Sequence, residues 1–275
     1  MTEGVDPARW RELNRAWWDE RVPLHLASEL YDVDGFLAGA EQLRPFELAL
    51  AGDVAGLRLA HLQCHFGQDS IAWARHGASV VGLDFSEPAV AAANDLAARL
   101  EVDAAFVCAD VYDAVGALGG ERFDLVYTGL GALNWLPDLT RWAQVVRSLV
   151  APGGRLLLAE FHPFAWVFEE DLSVTYDYFG SAPFVWDDAG SYADLTAATT
   201  HNATVEHQHG IGQVLTALLA AGFTIRAFEE HDHTLFPQFT VLEQREGAYR
   251  LPEGMPRLPL MYALVADIPA PASAP

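Results

Sequence analysis

Between residues 57 and 159, short apolar runs alternate with longer amphipathic stretches, the pattern of a parallel sheet whose strands are joined by helices. Residues 57–62 are too brief an apolar run for a helix and predict a strand. Ile71, Trp73 and Ala74 mark a helix over 68–76 that Gly77 can cap, and Val80-Val81 open a second strand that ends at Asp84. An alanine-rich helix over 87–100 follows, with Ser86 as its N-cap, then strands over 104–108 and 123–127. Leu139, Trp142, Val145, Val146 and Leu149 form one helical face, and Pro152-Gly153-Gly154 is read as a turn into a fifth strand, 155–159. The alternation then stops: from Phe164 to about Val205 the chain is aromatic and acidic. It resumes with a helix marked by Ile211, Val214, Leu215, Leu218 and Leu219, ending at Gly222, and with strands over 223–229 and 260–267. Ahead of the core, Trp10, Leu13 and Trp17 recur at helical spacing behind Asp6-Pro7, and a second helix is expected over 36–51.

Polar residues gather at the strand ends. The loop from His61 to Gly67 follows the first strand, Asp84 closes the second, Asp110 follows the third and Thr128-Gly129 the fourth. Ligands of open α/β sheets bind outside the carboxyl ends of the strands, so four ends converge on one crevice. The first half has the order of a Rossmann-type unit: strand, tight loop, helix, and a strand closing on an acid that can accept both hydroxyls of a ribose.

The ordered set HLQCHFG, VVGLDFS, AAFVCADVYDA, FDLVYTGLGALNWLPD and LVAPGGRLLLAEFHP resembles the class I S-adenosylmethionine (SAM)-dependent methyltransferases over residues 57–165. The resemblance implies an α/β fold: a Rossmann-like, seven-stranded, mostly parallel sheet with helices on both faces. The last strand would be antiparallel and form a hairpin with its predecessor. It implies SAM as cofactor and S-adenosylhomocysteine (SAH) as product. The residues carried over are Gln63, Cys64, His65 and Gly67 in the loop, Asp84 for the ribose with Phe85 beside it, Asp110 and the Val111 amide for adenine, and Thr128 at the fourth strand end. The chain divides accordingly into an N-terminal helical lid (1–55), a SAM-binding core (56–162), a substrate-cap insertion after strand 5 (163–208), a C-terminal helix and β-hairpin (209–268) and a disordered tail (269–275).

One departure matters. The family loop usually has an acid followed by three glycines at alternate positions, and here those positions are His61, Gln63, His65 and Gly67. Dinucleotide enzymes use such glycines to bring backbone amides against a pyrophosphate, so Gln63 and His65 argue against an NAD or FAD site. SAM has no pyrophosphate, and side chains can hold its methionine end. Gln63 and His65 are expected there with ordinary, non-glycine backbone angles.

Composition narrows the acceptor. A net charge of −22, with sixteen basic residues scattered singly, disfavours nucleic acid, whose phosphates need basic stripes. A small molecule is the expected substrate. No apolar run is long enough to span a bilayer, the first residues lack a signal core, and only Cys64 and Cys108 are present, so no membrane partner and a cytoplasmic location are expected, with a homodimer left open.

The segment after the first helix, NRAWWDERVPLHLASELYD, resembles the piece that folds over the SAM site in small-molecule methyltransferases, which makes Trp18 and His25 candidates beside the cofactor and Tyr31 beside the substrate. A Trp stripe on a helix serves packing equally well. Trp166, Tyr176, Tyr178 and His209 are the candidates on the acceptor side. Methyl transfer needs collinear alignment, and a base only if the nucleophile carries a proton. His162 at the fifth strand end is the first candidate for that base, and Tyr127 and Asn134 come second; a histidine before Pro163 can also simply bond its own loop. The histidines at 201, 207, 209, 231 and 233 lack tight ligand spacing, so no metal is expected, and Cys64 reads as packing. The expected function is methyl transfer to a small, partly apolar molecule at O, N or C. Two alternatives stay open, a non-catalytic SAM-binding or sensing protein and a nucleotide-dependent oxidoreductase.

Overall fold

A computed structural model describes residues 6–268. The tail expected to be disordered lies outside the described residues. Three helices come first, α1 (Trp10–Leu26), α2 (Val33–Leu37) and α3 (Pro45–Ala51). The single helix expected over 36–51 is broken because Gly39 turns to φ 107° and Arg44, preceding a proline, is extended. The core then runs β1 (Arg58–Leu62), α4 (Gln68–Arg75), β2 (Ser79–Asp84), α5 (Glu87–Leu100), β3 (Ala104–Cys108), α6 (Ala114–Ala117), β4 (Phe123–Thr128), α7 (Leu139–Leu149) and β5 (Val150–Phe161). The expected turn at 152–154 is instead part of β5. Gly154 lets the strand cross close to β4, where a Cβ would stand 2.9 Å from the Asp124 carbonyl oxygen.

The insertion carries β6 (Phe184–Asp187) and β7 (Ala203–Glu206), and the chain closes with α8 (Ile211–Ala220), β8 (Thr224–His231), β9 (His233–Thr234), β10 (Glu243–Arg245), β11 (Ala248–Arg250) and β12 (Met261–Asp267). The main sheet has seven strands in the order β3-β2-β1-β4-β5-β12-β8, with β12 antiparallel to both β5 and β8. The last strand is antiparallel, as the resemblance implied, but its pairing with β8 is no simple hairpin. The connection carries the small sheet β10-β11-β9.

Strand alternation sends side chains to two cores. Leu59, Leu125 and Leu157 pack under α2–α5 with Trp73 and Ile71, while Ala60, Val126, Leu156 and Leu158 pack under α6–α8 with Trp142 and Leu218. Burying both sheet faces explains why these strands read as nearly continuous apolar runs. No helix among the described residues is long and apolar enough to cross a membrane. The strand order reverses between β1 and β4, which splays the loops after them and opens the crevice there.

Candidate active site

The crevice is lined on one wall by Leu83, Asp84, Phe85, Ala109, Asp110 and Val111, on its floor by Gln63 and His65, and on the far wall by Leu130–Ala132, Trp135 and Leu136. Asp84 is buried at the end of β2. One of its oxygens accepts the Ser86 amide at 2.9 Å and the other the His65 amide at 2.8 Å. Burial pushes its carboxyl up to about 6, against these amide donors, which favour the charged form. Asp110 accepts the Tyr112 amide at 2.9 Å and pairs with Arg11 of α1 at 2.7 Å. A carboxylate has about four lone-pair sites, and these two amides take one on each oxygen.

The loop itself overturns one expectation. Gln63 and His65 lie in the left-handed region, φ 57° and 50°, where non-glycine residues cost on the order of 1 kcal/mol each. The loop keeps the backbone path of a glycine loop because the Cys64 amide must reach the Leu83 carbonyl, at 3.0 Å, and the His65 amide must reach Asp84. Side-chain bonds offset the strain: Gln63 Nε2 donates to the Ala132 carbonyl at 2.9 Å, and the His65 ring bonds His25 at 2.8 Å. Gly67, φ 81°, lies outside the crevice lining, and packing requires a glycine there. A Cβ there would sit 2.6 Å from the Phe106 ring and 2.9 Å from Ala93. Cys64 is buried beneath the loop, and burial raises its thiol.

Two distant parts of the chain roof the crevice. Helix α1 supplies Trp10, Asn14 and Trp18, the segment after it Tyr31, and the insertion Tyr192. Asn14 substitutes for a strand partner, exchanging two 2.8 Å bonds with the backbone of Val205 in β7. Arg21, fully buried, donates to the carbonyls of Gly190 and His201 at 2.8 Å each and stacks on Trp17. His25 does not line the crevice. It stands behind His65 and bonds Ser191 Oγ at 2.6 Å, while the Tyr31 and Tyr192 hydroxyls bond each other. Trp18 makes edge contacts with His65 at 4.9 Å and Trp135 at 5.3 Å.

The remaining candidates fall elsewhere. His162 is turned away from the crevice: its Nδ1 accepts the Phe164 amide at 3.1 Å, which leaves Nε2 as the protonated nitrogen that bonds Glu230 at 3.0 Å. Both ring nitrogens are engaged, so it is not placed to take an acceptor's proton. Tyr127 shares the sheet face of Leu125 by strand alternation and lies under the sheet, where its hydroxyl donates to Glu47 at 2.6 Å and accepts from Arg44 at 3.0 Å. Asn134 donates to Glu206 at 3.0 Å, and Thr128 is buried outside the crevice lining. Tyr178 accepts the Ile211 amide at 3.0 Å, His209 donates to the Leu136 carbonyl at 2.7 Å, Tyr176 packs edge-on to Phe184 and Trp186, and Trp166 packs on Phe161 at the surface. Trp10, Trp135, Tyr192 and Glu160 went unassigned in the sequence. Glu160 accepts the amides of Gly131, Ala132 and Leu133 and so shapes the far wall. Its place one residue after the apolar run of β5 was the available signal. Among the described residues no three His, Cys, Asp or Glu side chains converge as a metal site.

A methyltransferase-domain family matches residues 60–156. The ubiquinone biosynthesis O-methyltransferase of Coxiella burnetii is 26% identical over 155 residues, 55% of this chain and 59% of that protein. The enzyme of the same name from Pseudomonas aeruginosa is 30% identical over 168 residues, 58% and 65% of the two chains. The chain thus spans less than two thirds of these relatives. Among solved structures, a SAM-dependent methyltransferase from Mesorhizobium loti superposes with TM-score 0.54 at 25% identity, covering 84% of this chain and 99% of that one. The CcbJ methyltransferase from Streptomyces caelestis superposes with TM-score 0.60 at 14% identity, covering 93% and 98%.

Proposed function

The chain carries a methyltransferase domain with the class I, SAM-dependent fold, and we propose that it transfers a methyl group from SAM to a small, partly apolar acceptor. The observation that carries this reading is Asp84, which lines the crevice at the reversal of the sheet with each oxygen oriented by a loop amide. That arrangement suits the two hydroxyls of a ribose. Asp110 and the Val111 backbone suit the adenine edge, with Phe85 against the ring. Gln63 Oε1 is buried without a partner, an acceptor suited to the ammonium of the methionine end.

Bound SAM would supply a sulfonium methyl already activated for displacement. The chain's task is then to orient an acceptor and exclude water. Trp18, Trp135 and Tyr192 wall the crevice with apolar surface, which supports an apolar or aromatic acceptor. The named relatives support oxygen as the first acceptor atom to test. With His162, Tyr127 and Asn134 directed elsewhere, proximity is the main catalytic device. The net charge of −22 favours a small molecule over nucleic acid.

Calorimetry with SAH tests the cofactor, and SAH release from SAM across a panel of phenols, catechols and amines tests turnover. An SAH titration without heat or change in melting temperature would refute the cofactor reading. SAH binding without turnover of any acceptor would favour a binding or sensing protein.

A further inference from the structure

Three segments remote in sequence meet in one hydrogen-bonded line at the crevice roof. Ser191 Oγ of the insertion bonds His25 Nε2 at the end of α1 at 2.6 Å, and His25 Nδ1 bonds His65 Nε2 of the loop at 2.8 Å. We propose that this Ser191–His25–His65 line is a proton-sensitive clasp: neutral imidazoles hold α1 and the insertion shut over the crevice, and acid releases them. The proposal takes from the functional reading only that ligands enter and leave by this crevice.

The geometry requires one bare nitrogen and one N–H between the two rings. Protonating both rings sets two N–H groups against each other across 2.8 Å. Protonating one places a second cation near Arg21, whose guanidinium is already buried and, among the described residues, has only Glu20, at 3.6 Å, as a carboxylate partner. The groups facing the pair are Arg21 and Trp18 from α1, Tyr31 from the following segment, Ser191 and Tyr192 from the insertion, and Asp84 from β2, which accepts the His65 amide rather than its ring. Among the described residues no carboxylate hydrogen-bonds either ring, so no direct ion pair offsets the added charge.

Burial, then the charge of Arg21, lowers His25 to about 4, and burial, then His25, lowers His65 well below the ordinary imidazole value. The sign follows. The closed state binds fewer protons than the open one, so closure is at full strength above the ordinary value of 6.5 and weakens as pH falls toward about 4. Tyr31–Tyr192 and the Arg21 bonds to Gly190 and His201 remain as hinge contacts.

Hydrogen exchange of the full chain without ligand, corrected for intrinsic exchange chemistry, at about pH 7.5 and 5 reads the clasp directly. Protection in residues 22–32 and 188–196 should drop about tenfold or more at the lower pH while β4 and β5 stay protected. His25→Ala should lose that protection at both pH values. His65→Gln, which keeps a polar group near Nε2 but cannot titrate, should lose severalfold less than the normal chain in acid. Equal protection at both pH values, an acid loss in His65→Gln as large as in the normal chain, or a core that opens in step would each overturn the clasp. An absence of SAH binding would sink the functional reading and leave this readout unaffected.

Discussion

Replacing Asp84 by Asn tests the cofactor site with the smallest change of shape. The carboxylate holds the amides of Ser86 and His65 at 2.9 and 2.8 Å, and in the proposed complex it would also accept the hydroxyls of a ribose. Asparagine can satisfy one amide with its carbonyl oxygen, but then turns an NH2 group toward the other. One buried amide is left without an acceptor, at a cost of about 1–3 kcal/mol in stability. On the ligand side one charge-assisted bond and the charge itself are lost, about 2–3 kcal/mol, or about thirtyfold to 150-fold in SAH affinity. Calorimetry with SAH, beside a denaturant titration that confirms folding, separates the two effects. The pH dependence adds a second readout. Burial pushes the Asp84 carboxyl up to about 6, and the ribose requires the carboxylate, so affinity should fall about tenfold per pH unit below that value in the normal chain. The variant, with nothing to titrate at this position, should lack that part of the slope while keeping any contribution from the histidines. An SAH affinity within about twofold of normal in a folded Asp84→Asn protein would remove Asp84 from the cofactor site.

Gly67→Ala should cost about 2–4 kcal/mol, read as a lower melting temperature, because it combines a positive φ with a Cβ driven into Phe106 and Ala93. Gln63→Gly should leave stability within about 0.5 kcal/mol, since relief of the left-handed backbone offsets the lost bond to Ala132, yet weaken SAH severalfold; tighter SAH binding would show that the Gln63 side chain is not a ligand. His162→Ala should lower stability by about 1–3 kcal/mol and leave turnover of any acceptor within about threefold; a hundredfold rate loss at unchanged SAH affinity would return it to the mechanism. Tyr127→Phe should likewise destabilise by about 1–3 kcal/mol, by removing a partner of buried Glu47 and Arg44, with SAH affinity unchanged in calorimetry.

Periodicity alone determined the alternation of strands and helices from β1 to β5, because each element buries a face whose spacing is local, 2 along a strand and 3.6 along a helix. Order along the chain also placed Asp84 and Asp110 at strand ends, and those positions follow from where an apolar run stops. The backbone angles of Gln63 and His65 were not legible, since residue type argued for ordinary angles while the bonds to Leu83 and Asp84, made across the sheet, imposed the left-handed ones. The same holds for His162 and Tyr127. Their positions near strand ends suggested the crevice, but the alternation of β4 and the competing partners Glu47 and Glu230, remote in sequence, turned them elsewhere. The roof depended most on tertiary structure. Arg21 and His25 lie in the segment read as a lid and Ser191 in the insertion read as a cap, but their meeting with His65 required α1 and the insertion to pack together over the sheet edge, a contact between segments more than 160 residues apart.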